Sequence, residues 1–210
     1  MKILVITPHG LREEEIKIVV QLFENGLETL HLRKPKFRTR ELKEYIEQIP
    51  VQFHNRIVIH SHHLLARKYN LKGIHFTKTH LKKTFRNWWI YKILTLSRPD
   101  LIKTTSHTKL VSLYDEEKID FDYIFLSPIF DSLTGKYQSG FYEEGIRATV
   151  KKVDKKIIAR GGIDRSRLEK IKELGFHGMA LYSYIWESKK PVEDFIQIVK
   201  RCNELSIAVE

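Results

Sequence analysis

Cysteine is almost missing from this chain: there is one, Cys202, so no disulfide can form within it, and a scaffold held by disulfides is excluded. Glycine and proline are sparse, 10 and 6 in 210 residues, and no Pro/Gly/Ser-rich linker or shift of composition divides the sequence. It therefore reads as one domain, 1–210, long enough to bury a substantial core. Long hydrophobic runs are also lacking, which excludes a membrane-spanning helix. The opening MKILVITPHG is too short in its apolar part, and too soon followed by REEE, for a signal peptide. These absences predict a soluble, cytoplasmic protein with no membrane partner.

Positive charge, by contrast, is plentiful. Lys and Arg outnumber Asp and Glu by 37 to 26, a formal charge of +11, which steers anionic partners of any kind toward the surface. The most basic and aromatic stretch is HLKKTFRNWWIYK, 80–92. Its Arg and Lys interleave with Phe85, Trp88, Trp89 and Tyr91, as in surfaces that stack bases. The same spacing suits a helix with a solvated basic face and an aromatic face packed inward. That second reading is the expectation, and nucleic acid is not expected as a partner.

Short runs rich in Ile, Val and Leu recur at 2–8, 27–33, 56–61, 73–76, 101–106, 122–129, 155–163 and 177–184. Between them lie stretches with apolar residues at helical spacing, among them REEEIKIVVQLFENG, RTRELKEYIEQI, HHLLARKYN, RSRLEKIKELG and PVEDFIQIVKRCNEL. Acidic residues at the start of the first suit the helix dipole, and Gly26 can end it. Strands that are apolar nearly throughout and alternate with helices imply parallel strands buried on both faces. Eight such units predict an α/β protein with a (β/α)8 TIM barrel; the rival is a doubly wound open sheet.

In such a barrel the site lies at the carboxyl ends of the strands, and those ends are polar here: HLRKPK, IHSHH, HFTKTH, TTSH, SPIFDSLTGK, RGGI and YSY. After the second strand, Arg33, Lys34 and Lys36 form a basic cluster, and Arg can grip phosphate oxygens with two donors at once. His31, two residues before Arg33, projects to the same side. In the sixth loop, Ser132, Thr134 and Lys136 supply hydroxyls and a cation for a phosphate. Gly161 and Gly162, leading toward a helix near Asp164, let backbone N–H groups approach an anion, with Ser183 after the eighth strand as the hydroxyl partner. The same glycines and hydroxyls also suit ordinary turns.

Taken together, LHLRK, LKGIHF, TTSH, SPIFDSLTGK and IARGGI, in register over essentially the whole chain, resemble the family of thiamine phosphate synthase and its relative, the thiazole tautomerase. The resemblance implies a TIM-barrel transferase of thiamine biosynthesis. Such an enzyme joins a hydroxymethylpyrimidine diphosphate to a thiazole phosphate, releases pyrophosphate, and uses Mg²⁺ to neutralise the leaving group. Carried over by position, Arg33 holds the diphosphate, and His31 stands where the family commonly has glutamine. Thr105 falls where the family places a serine near the diphosphate and pyrimidine. Ser132, Thr134, Lys136, Gly161 and Ser183 hold the thiazole phosphate. A homo-oligomer is suggested by the same likeness.

One departure stands out. The third-strand end of the family reads Asn-Asp-Asp or close to it, and an acid follows the fourth strand; here those places hold His60, Ser61 and His62, and FTKTH carries no carboxylate. Mg²⁺ prefers oxygen ligands, so the expected ligands are missing. His60 and His62, with His80, are a conceivable Zn²⁺ set, but no cysteine or acid completes a motif, and no metal ligand is assigned. Imidazoles such as His31 and His60 can instead act as donors to phosphate or as proton carriers. Tautomerase activity, and a non-catalytic sensor of phosphorylated ligands, are the alternatives. The tautomerase is expected to have a histidine after the sixth strand, where this chain has Pro128.

Overall fold

Each of the recurrent apolar runs forms a short strand in this computed structural model, which describes residues 1–82, 84–117, 119–135 and 138–207. The strands are β1 (Lys2–Ile6), β2 (Leu30–Leu32), β3 (Ile57–Ile59), β4 (Gly73–His75), β5 (Ile102–His107), β6 (Tyr123–Leu126), β7 (Ile157–Arg160) and β8 (Gly178–Leu181). They close in chain order into a (β/α)8 barrel, and the pairings are parallel. The open doubly wound sheet is thereby excluded. The chain forms two compact units, Ile6–Thr105 and Met1–Val5 with Ser106–Glu210.

In the unit Ile6–Thr105, the strands are covered by α1 (Glu15–Glu24), α2 (Thr39–Glu47), α3 (Leu65–Lys68) and α4 (Phe85–Ser97). Apolar residues at three- and four-residue spacing bury one stripe of each longer helix: Val19, Leu22 and Phe23 from α1, and Leu42, Tyr45 and Ile46 from α2. Full burial of such a side chain contributes about 1.5–3 kcal/mol. The segment HHLLARKYN gives only the single turn α3, because His62 (φ 51) and Asn70 (φ 51) both adopt left-handed backbone and bracket it.

The helix read from residues 80–92 forms as α4, capped by Thr84, whose side chain accepts from the Asn87 N–H at 3.2 Å. Of its aromatic residues only Tyr91, half-buried with its ring 6.0 Å from that of Phe76, turns inward as the spacing predicts. Phe85, Trp88 and Trp89 are 75%, 50% and 46% exposed, and Leu94 is the helix's buried residue. The three aromatic rings cluster with one another instead, at centroid distances of 5.1–6.2 Å.

The other unit carries α5 (Glu143–Lys152), α6 (Leu168–Glu173), α7 (Ser183–Trp186) and α8 (Pro191–Glu204). In α8, Pro191 at the first position and Glu193 and Asp194 in the first turn favour initiation, while Phe195, Ile198 and Cys202 are buried. β1 pairs with β8, Ile3 beside Met179 and Val5 beside Leu181. No helix among the described residues is long and apolar enough to cross a membrane.

Candidate functional site

Strand register decides which polar side chains meet in the unit Ile6–Thr105. His31 pairs with Val58, Val58 with Gly73, and Gly73 with Ile102, and paired residues in a sheet share a face. Side chains alternate with a period of two, so His60, His75 and Thr104, each two residues further on, lie on that same face. The side chains confirm it. His31 Nδ1 is 2.9 Å from His60 Nε2, the His60 and His75 rings stack at 4.1 Å, and His75 Nδ1 is 2.8 Å from Thr104 Oγ1. His31, His60 and His75 can each offer one ring nitrogen within 4.8 Å of the others, and all three are buried, at 0%, 7% and 4% exposure.

The three-histidine set imagined from spacing is not the one that assembles. His62 turns away, with Nδ1 2.9 Å from the Thr39 hydroxyl and Nε2 3.0 Å from the Phe37 carbonyl; these two bonds pin its left-handed backbone. His80 accepts from the Thr77 backbone N–H and lies beside His63, ring to ring at 4.2 Å. Burial, reinforced by the neighbouring His80, pushes the His63 imidazole down to about 3, so His63 is neutral and donates Nε2–H to the His75 carbonyl at 3.1 Å. His75 and Thr104 escape a reading of spacing, because their place beside His31 and His60 is set by register across strands.

Two further expectations are corrected here. Lys34 is not on an open basic loop: it is 1% exposed, its ammonium 2.7 Å from both oxygens of Glu15 and from the Gly10 carbonyl. Burial pulls its pKa below the usual lysine range, and Glu15 only partly offsets this. The Tyr45 hydroxyl donates to Glu15 at 2.7 Å and the Arg12 backbone N–H at 3.1 Å, so the lysine neutralises an internal acid and has no donor facing a ligand. Thr105 is 2% exposed and donates its hydroxyl to the Phe76 carbonyl at 3.1 Å. Alternation puts it on the strand face opposite Thr104 and the histidines.

Arg33 follows β2 at half-burial, its backbone N–H donating to Thr7 Oγ1 at 2.9 Å. Lys36 is exposed. In the unit Met1–Val5 with Ser106–Glu210, the Ser132 and Thr134 hydroxyls lie 2.8 Å apart, and Ser132 Oγ also accepts from the Thr134 N–H at 3.2 Å. Lys136 lies outside the described residues. Gly161 and Gly162 both have left-handed backbone, φ 96 and 64. A Cβ on Gly162 would overlap the backbone carbonyls of Phe130 and Asp131. These glycines let the β7 loop lie against the β6 loop, with Phe130 N–H donating to the Gly161 carbonyl at 3.2 Å. The helix expected near Asp164 begins as a 3-10 turn, Arg165–Arg167, capped by the Asp164 carboxylate, before α6. Ser183 opens α7, half-buried.

The donor chemistry does not suit the Mg²⁺ that the family resemblance implies. Residues 60–64 and 76–84 contain no Asp or Glu. Glu15, the buried carboxylate among the described residues, is taken up by Lys34, Tyr45 and Arg12. A hard cation that selects oxygen finds imidazole at the ends of β2, β3 and β4.

A family model described as Thiamine monophosphate synthase matches residues 3–185. The thiamine-phosphate synthase of Prochlorococcus marinus (strain AS9601) is 27% identical over 187 residues, covering 88% of this chain and 48% of that protein. The chain thus spans about half the length of the Prochlorococcus relatives it matches. The thiamine-phosphate synthase of Pyrococcus abyssi is 23% identical over 206 residues, 95% of each chain. Among solved structures, thiamine phosphate pyrophosphorylase from Bacteroides thetaiotaomicron superposes with a TM-score of 0.77 at 28% identity, over 97% of this chain and 98% of that one.

Proposed function

The chain belongs to the thiamine monophosphate synthase family, and we propose that it is a cytoplasmic, single-domain transferase of thiamine biosynthesis with the reaction of that family. It joins hydroxymethylpyrimidine diphosphate to thiazole phosphate. The C–O bond between the pyrimidine methylene and the diphosphate breaks with its electron pair leaving on pyrophosphate. The resulting benzylic-type cation is captured by the lone pair of the thiazole nitrogen, which forms the C–N bond of thiamine phosphate.

The observation that carries this reading is the family match over residues 3–185, joined to the placement of the matching motifs at strand ends. On the leaving-group side we assign Arg33, whose guanidinium can take two phosphate oxygens at once, with His31 and His60 beside it in sequence register and Lys36 as an outer cation. Fixed donors aimed at the charge that develops on the departing diphosphate supply the rate enhancement. For the thiazole phosphate we assign the hydroxyls of Ser132, Thr134 and Ser183, the backbone at Gly161 and Gly162, and Lys136. The partners are phosphorylated small molecules and a second copy of the chain in a homo-oligomer. Mg²⁺ serves the family, but the residues at the ends of β3 and β4 do not fit it, and no step is routed through it.

The test is formation of thiamine phosphate from the two phosphorylated precursors, in Mg²⁺ and in chelator, for the native chain and for Arg33→Gln. Product from the native chain, reduced about 10²-fold or more in the variant, supports the assignment. No product under either condition overturns it.

A further inference from the structure

We infer that His31, His60 and His75 form a binding site for a divalent transition metal of the Zn²⁺ or Co²⁺ type. The three come from three consecutive strands, and the pairing register fixes them on one face. Each offers a ring nitrogen within 4.8 Å of the other two. All are buried, so the polypeptide holds three imidazoles together before any ion arrives. Nitrogen donors suit Zn²⁺, Co²⁺, Ni²⁺ and Cu²⁺, and reject Mg²⁺. Three protein ligands leave a fourth position for water or for an oxygen of an anion.

The fit requires small movements, all of soft coordinates. Two nitrogens on one tetrahedral Zn²⁺, each about 2.0–2.1 Å from the metal, lie about 3.3 Å apart. His31 Nδ1 and His60 Nε2 are already 2.9 Å apart. Without a metal this contact is one shared proton, an N–H on one ring donated to the lone pair of the other; with a metal both lone pairs turn to the ion and that proton leaves the contact. The His60 and His75 rings stack at 4.1 Å and 19°, so their nitrogens lie side by side. They converge on one ion by rotation about the broad Cβ–Cγ torsion. Thr104 Oγ1, 2.8 Å from His75 Nδ1, is placed to accept an Nδ1–H when Nε2 turns to the ion, the outer contact that commonly orients a ligating imidazole. This site stands on its own geometry, whichever reaction the chain performs.

The test is titration of the purified, chelator-treated full chain with Co²⁺, read by visible d–d absorption, and with Zn²⁺, read by bound metal after desalting. Four proteins are compared: the native chain, His75→Gln, Thr104→Val and His80→Gln, with circular dichroism as the check on folding. One equivalent bound by the native chain and by His80→Gln, with loss in His75→Gln, is the expected result. Thr104→Val, which keeps the side-chain shape, is expected to bind about 10–100-fold more weakly and serves if His75→Gln does not fold. X-ray absorption of the Zn²⁺-loaded native chain should count three imidazoles without recourse to any variant. Sub-stoichiometric binding by the native chain, or binding that survives His75→Gln but is lost in His80→Gln, overturns the site.

Discussion

The unit Ile6–Thr105 and the unit of Met1–Val5 with Ser106–Glu210 handle their polar strand ends in opposite ways. In the first, His31, His60, His75, Lys34, Thr104 and Thr105 are buried and most of their bonds run to one another, to Glu15 or to backbone carbonyls. In the second, Ser132, Gly161, Gly162 and Ser183 are half-buried and Thr134 is exposed. A polar group whose partner is another protein group acts mainly on stability when removed. One that faces solvent acts on whatever ligand it meets. Substitutions at Glu15, Lys34 and Thr105 should therefore be read by unfolding, and those at Ser132, Thr134 and Ser183 by binding.

The largest effect sharpens the contrast. Glu15→Ala strands the buried Lys34 ammonium and the Tyr45 hydroxyl, and should cost about 3–5 kcal/mol in denaturant unfolding; a loss under about 1 kcal/mol would mean that the lysine escapes to solvent. Gly162→Ala is the case most able to break it. Although it lies among the loops proposed to hold the thiazole phosphate, left-handed backbone and overlap with two carbonyls should together cost about 2–4 kcal/mol of stability. If thermal unfolding moves little, the β6 and β7 loops yield more readily than their contacts suggest. Thr105→Val removes one internal hydrogen bond, for about 1 kcal/mol of stability, and should leave phosphate-ligand affinity unchanged in calorimetry. Weaker binding instead would restore Thr105 to the site. Ser183→Ala is smallest in unfolding, within about 0.5 kcal/mol, yet should weaken thiazole phosphate about tenfold, as one hydrogen bond to a charged group is lost.

The barrel was legible because its signals are local. Each of the apolar runs overlaps a strand, α1 lies between its acidic start and Gly26, α4 follows the Thr84 cap, and α8 opens on Pro191 with Glu193 and Asp194 in its first turn. The burial of Lys34 was not legible, since Glu15 lies 19 positions earlier in the chain and only folding makes them partners. Spacing proposed His60, His62 and His80, whereas the structure joins His31, His60 and His75. A single sequence gives the parity of each strand but not the offset between strands, and the offset selects the third histidine. For α4, the spacing located a helix but not its inward face: Leu94 is its buried residue, and Phe85, Trp88 and Trp89, expected to pack inward, are exposed.

The Lys34–Glu15 pair has a consequence for how the protein should respond to ionic strength. Its two charges cancel inside the fold, so the excess of +11 resides in other groups, where an electrolyte reaches it. At physiological salt the screening length is about 8 Å, and exposed charges are damped while buried pairs are screened far less. Added electrolyte should thus slow the capture of polyanionic ligands while leaving this internal contact intact, which allows attraction and architecture to be tuned separately in one molecule.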